Sequence, residues 1–160
     1  MESLDDDLTK IGETVCSQDV SLQEVGEKRE YLEPVGRGEG RTVLELNTGS
    51  FNTDVVVKFA HSRSKHRGGV DQNQYESFLW NKASADEREL LAPVLRSHNR
   101  GLWLVMSYAD PVPENLNLEE KRDQMYEVFG RKVDSTFRRR NFGIIDGDVK
   151  LIDYGYSANN

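Results

Sequence analysis

Asn141-Phe142-Gly143-Ile144-Ile145-Asp146-Gly147-Asp148-Val149-Lys150-Leu151-Ile152-Asp153-Tyr154-Gly155 reads as a β-hairpin near the end of a 160-residue chain. Phe142 to Ile145 is an apolar strand, Asp146-Gly147-Asp148 a tight turn, and Val149 to Ile152 the returning strand. Antiparallel pairing sets Asn141, before the first strand, beside Asp153, after the second. An amide oxygen and a carboxylate placed together are hard donors that suit Mg²⁺ carrying a nucleotide's phosphates. Asn and Asp also start and stop strands for local reasons alone. The upstream sequence decides between the two readings.

Residues 30–60 predict three antiparallel strands: Tyr31 to Val35, Thr42 to Leu46, and Asp54 to Ala60. Gly36, Gly38 and Gly40 fall at the first turn, where glycine lets backbone N–H groups approach a bound group. The third strand carries one lysine, Lys58, inside an apolar run, and a buried ammonium needs a counter-charge. Gln72 to Ala83 reads as a helix with Tyr75, Phe78 and Leu79 on one face. Glu76 lies beside that face and can supply the charge; without Lys58 it would be an ordinary solvated helix residue.

Leu90 to Leu95 and Gly101 to Tyr108 read as two further strands, with Leu102-Trp103-Leu104-Val105-Met106 apolar enough for the centre of a sheet. Ser107 to Pro111, with Pro113 beyond, is an extended linker between two lobes. Asn117 with Glu120 opens a helix reaching Gly130, with Leu118, Met125, Val128 and Phe129 as its buried stripe. Ser3 to Cys16 is an amphipathic helix through Leu4, Leu8, Ile11 and Val15, with Ser3 and Asp6 forming a capping box. It either packs on the domain or serves as a partner-binding arm, and Ser17 to Lys28 is a polar connection. The chain thus divides into 1–28, 29–110 and 111–160, an α+β organisation.

Hydrophobic residues make up 36% and charged residues 31%, with a net charge of −7, which places the chain among soluble globular proteins. No run approaches the roughly 18 apolar residues of a membrane span, and the acidic start is unlike a signal peptide, so the expected compartment is the cytoplasm. Cys16 stands alone, which excludes an internal disulfide and a thiolate zinc cluster. The acidic balance argues against nucleic-acid binding, although Arg63 to Arg67 and Arg138 to Arg140 are local basic patches.

The order of these elements resembles the protein-kinase-like fold. Gly36-Arg37-Gly38-Glu39-Gly40-Arg41-Thr42-Val43 is similar to the family's G-x-G-x-x-G-x-V, with Arg41 in place of the third glycine. Val57-Lys58 resembles the strand lysine, Glu76 its helix partner, and Leu104-Val105-Met106-Ser107-Tyr108 the hinge that takes adenine. Asn141 followed by Asp153-Tyr154-Gly155 resembles the catalytic-loop Asn and D-F-G. The resemblance runs from Tyr31 to Gly155 and implies ATP with Mg²⁺ as cofactors and phosphoryl transfer as chemistry. Gly36, Gly38 and Gly40 would then cover the phosphates, and Lys58, held by Glu76, would contact them. Asn141 and Asp153 would bind the metal, and Met106 and the backbone near Tyr108 would border the adenine.

The departures carry equal weight. Thr136 stands where the family has its catalytic Asp, and a threonine hydroxyl is no base near neutral pH. Asp134, two residues earlier, would serve only if the loop bulges, and Arg138 stands where the family places a cation on the transferred phosphate. The sequence given ends soon after Gly155, so peptide docking is expected from a partner or a second copy. Two functions remain: a minimal ATP-dependent phosphotransferase acting on a protein or small molecule, or a pseudokinase-like module that binds nucleotide or another protein.

Overall fold

The computed structural model describes residues 2–17, 22–37, 40–61, 68–130 and 137–155. Gly38, Asp134, Thr136 and the basic run Arg63 to Arg67 lie outside the described residues. The architecture is α+β. Five antiparallel strands form one sheet in the order β1-β2-β3-β5-β4, from β1 (Leu32–Arg37), β2 (Arg41–Leu46), β3 (Val55–Ala60), β4 (Val94–Ser97) and β5 (Trp103–Ser107). A second sheet of three strands, β6 (Asp110–Pro111), β7 (Phe142–Ile145) and β8 (Asp148–Leu151), follows the linker. The helices are α1 (Leu4–Ser17), α2 (Leu22–Lys28), α3 (Gly69–Lys82), α4 (Ala85–Leu90) and α5 (Glu119–Phe129).

Strand β3 is buried along its whole length because both faces of the sheet are covered. Side chains alternate across a strand, so Val55, Val57 and Phe59 enter one apolar cluster and Val56 enters another. The first cluster lies under α1, whose Leu8 and Val15 pack with Leu44 and Trp103. Trp103 Nε1 donates to Thr9 Oγ1 at 3.0 Å, and Arg29 clamps Asp7 at 2.7 to 3.0 Å. Of the two roles open to the N-terminal helix, the structure shows packing on the sheet, and Ser3 Oγ accepts from Asp6 N–H as a cap. The second cluster joins Leu104 and Met106 of β5 to Leu91, Met125 and Leu151.

The hairpin forms, but Asp148, read as part of the turn, is the first residue of β8 and pairs with Ile145, with Phe142 opposite Leu151. Asp146 (φ 52°) and Gly147 (φ 83°) both take positive φ, the type I′ geometry whose twist matches the strands it connects. The linker is extended where Asp110 and Pro111 pair with Ile144 and Gly143.

Four local expectations change. Residues 22–28, read as a connection, are helical (α2). Leu90 to Leu95 is not one strand: α4 ends at Leu90, and Leu91 and Ala92 pair with Leu151 of the second sheet before β4 begins at Val94. Ser84 and Glu87 form the capping box of α4, a signal present in the sequence. Asn117 bonds to Glu119 N–H at 2.9 Å, while Leu118 occupies the cap position, and Val128 of the expected stripe is exposed. Helix α3 departs from its expected face: Leu79 packs on the second cluster, but Gln72, Asn73 and Glu76 are the buried residues and Phe78 is 54% exposed. Its inward face is polar because it meets charges from the sheet.

Leu8→Ala should therefore cost about 2–5 kcal/mol through the cavity it leaves under the sheet. Phe78→Ala should stay within about 0.5 kcal/mol. Urea unfolding midpoints at unchanged slope check both.

Candidate functional site

Parity along β3 turns Lys58 to the same side as Val56, toward α3. Its Nζ lies 3.1 and 3.2 Å from the two oxygens of Glu76, and it donates to the carbonyl of Ile152 at 2.6 Å. The ion pair expected from a lone strand lysine is therefore present, and Glu76 is fully buried. The main-chain N–H of Tyr154 donates to Glu76 Oε1 at 3.1 Å, which ties the segment after β8 to α3. The Tyr154 ring is buried and its hydroxyl donates to Ala92 O at 2.8 Å. Gly155 lies so close to α3 that a Cβ there would meet Gln72 O at 2.6 Å, which glycine alone avoids.

A second cation enters this interior that the motif reading did not assign to the site. Arg41, the first residue of β2, is 5% exposed. Its Nη1 donates to Glu76 Oε2 at 2.6 Å and to Asn73 Oδ1 at 3.2 Å; its Nη2 donates to Glu76 Oε1 at 3.1 Å and to Asp153 Oδ1 at 2.6 Å. Asn73 is fixed in turn by donating to the carbonyls of Lys58 and Gly101 at 3.1 and 2.9 Å. The visible signal was the departure itself, an arginine standing where the glycine pattern has its third glycine.

Burial by itself would raise the Glu76 carboxyl, yet the adjacent Arg41 and Lys58 outweigh it and hold the group at about 2. Burial pulls Lys58 below the usual lysine range, and the Arg41 charge adds to that, while Glu76 and Asp153 oppose both. The Tyr154 phenol is pushed well above its ordinary value by burial, with the Glu76 charge adding to it.

In front of these groups lies a cleft of about 290 Å³ between the two sheets. Val35, Val43, Val56, Met106 and Ile152 form its apolar wall, and Arg41, Lys58, Arg140 and Asp153 its charged end. Gly36, Gly40 and Tyr108 also border it, as the sequence implied. The Tyr108 N–H is already donated to Asp54 O at 2.9 Å, so that donor is taken. Asn141 is buried at the end of a 3₁₀ turn (Arg139–Asn141), and its carbonyl accepts from Ile152 N–H at 2.8 Å, which sets it beside Asp153 as expected.

The arginines of that turn divide their roles. Arg138 is exposed and absent from the cleft wall, whereas Arg140 lines it. Arg139 anchors the linker by donating to the carbonyls of Pro113 and Leu116 at 2.9 and 2.5 Å. Arg138, expected at the phosphate, is the extended residue before the turn, and Arg140 is the arginine of this segment that borders the cleft.

The Arg41 charge beside Asp153 opposes the divalent ion implied for Asn141 and Asp153. An ion about 2.1 Å from the Asp153 carboxylate would stand roughly 4 Å from the Arg41 guanidinium. At an effective dielectric constant of about 20 that repulsion is on the order of 8 kcal/mol. Among the described residues no group of three or more His, Cys, Asp or Glu side chains is arranged to hold a metal.

No family model and no curated protein matches the chain. Among solved structures it is similar to Cex1p, at a TM-score of 0.53 and 17% identity over 78% of this chain. The chain spans 26% of the length of Cex1p, and the likeness is one of fold.

Glu76→Gln would leave two buried cations short of a counter-charge and should cost about 3–5 kcal/mol. Because the folded carboxyl lies below its unfolded value of 4.5, the stability it contributes is complete above pH 4.5 and is lost as the pH falls toward 2. Urea midpoints measured from pH 7 to 2 should show that acid limb in the wild type and a shallower one in Glu76→Gln.

Proposed function

We propose that the chain is a kinase-like module that binds ATP or a related nucleoside phosphate between its two sheets without efficient phosphoryl transfer. The observation that carries this reading is the Arg41 guanidinium, which pairs with both Glu76 and Asp153 at the charged end of the cleft. An apolar wall beside a cationic end suits a planar base joined to phosphate. The Lys58–Glu76 pair supports the nucleotide reading. Asp153, the carboxylate lining the cleft among the described residues, is already paired with Arg41. A bound-state function through a protein partner or a second copy follows from that.

Transfer to a protein or small-molecule acceptor is the second reading, favoured by retention of the Lys58–Glu76 pair, with Asp134 as base. Thermal unfolding with and without ATP separates these from an empty scaffold. Ligand at about 100 times its dissociation constant should add about 2.7 kcal/mol. Wild type should shift upward while γ-labelled phosphate stays on ATP in the presence of candidate acceptors. Label release abolished by Asp134→Asn, with ATP still bound, would establish the second reading. No shift with any nucleotide would remove both.

A further inference from the structure

We infer that the nucleoside phosphate is held without a divalent metal, the Arg41 guanidinium already pairing the Asp153 carboxylate that such an ion would need. This rests on the nucleotide reading above and sharpens it to a cation-independent one.

Arg41 is not a surface residue that happens to reach the cleft. Its side chain is 6% exposed, and Asn73 holds it from the side opposite Asp153. The guanidinium donates to Glu76, Asn73 and Asp153. Releasing Asp153 to a metal would turn that cation toward a dication in the same small space. Retreat is no easier, because Glu76 would then keep only Lys58 and the Tyr154 N–H as donors for a fully buried carboxylate. Metal at Asp153 and the Arg41 pair therefore compete for one carboxylate, whose Oδ1 Arg41 already holds.

The charge balance agrees. Arg41, Lys58 and Arg140 supply three positive charges, and Glu76 and Asp153 two negative ones, so the cleft end is net cationic with no ion added. A phosphate entering it meets Arg140, which lines the cleft and is exposed at the turn, without disturbing the interior pairs. Arg140 is thus the phosphate contact, and Arg41 the fixed charge behind it.

Calorimetric titration of the folded chain with ATP in EDTA and again in excess Mg²⁺ tests this directly. The two dissociation constants should agree within about twofold. Arg140→Gln should weaken ATP about tenfold and leave adenosine unchanged. Arg41→Ala, if its circular dichroism remains native, should bind ATP at least about tenfold more tightly with Mg²⁺ than in EDTA. Binding by the wild type in Mg²⁺ alone would overturn cation independence and leave the nucleotide reading standing. Equal affinity for adenosine and ATP, with Arg140→Gln silent, would overturn the phosphate contact. Absence of binding in either buffer would overturn the nucleotide site itself, and this inference with it. The wild-type comparison decides the matter even if Arg41→Ala does not fold.

Discussion

One buried carboxylate organises this molecule. Glu76 lies in the interior, where an unpaired charge would cost several kcal/mol, and it is satisfied by Lys58 from β3, Arg41 from β2 and the main-chain N–H of Tyr154 beyond β8. Each partner comes from a different element. The ionic interaction that offsets the desolvation of Glu76 therefore fixes α3 against the large sheet and fixes the end of the hairpin against α3. Lys58 adds a bond to Ile152 O, and Arg41 one to Asp153, so the two sheets are joined by the same few atoms.

That constraint explains the helix that looks wrong by pattern. An amphipathic surface helix ordinarily turns its apolar stripe inward, but α3 turns Gln72, Asn73 and Glu76 inward and leaves Phe78 outside. The apolar packing that stabilises the fold lies elsewhere, under α1 on one side of the sheet and among α5, β5 and β8 on the other. No helix among the described residues is long and apolar enough to cross a membrane.

The cleft combines an apolar wall with an end where Arg41 and Lys58 are paired with Glu76 and Asp153 and Arg140 adds a further positive charge. Arg41 holds one of the two carboxylate oxygens of Asp153, while Lys58 pairs with Glu76 and the hairpin brings Asp153 to them. The shared fold with Cex1p, at 17% identity, shows how little of the side-chain set needs to be retained for the backbone arrangement to persist.

Much of this was open to reading in one dimension. Strand alternation placed Lys58 in the interior and so demanded a partner; turn chemistry at Asp146-Gly147 fixed the hairpin, and the hairpin set Asn141 beside Asp153. Those are local consequences of backbone geometry, which neighbouring residues specify. The inward turn of Arg41 was not open in that way, because its partners Glu76 and Asp153 lie 35 and 112 residues further along the chain. Nor was the polar face of α3, since a helix's periodicity records which residues are apolar but not which charges await them across the interface. The sequence by itself determined the first three strands, the closing hairpin and the lysine–glutamate pair, but not α2 or α4. Only the tertiary structure decided that a guanidinium completes that pair, because desolvated charges choose their partners in space.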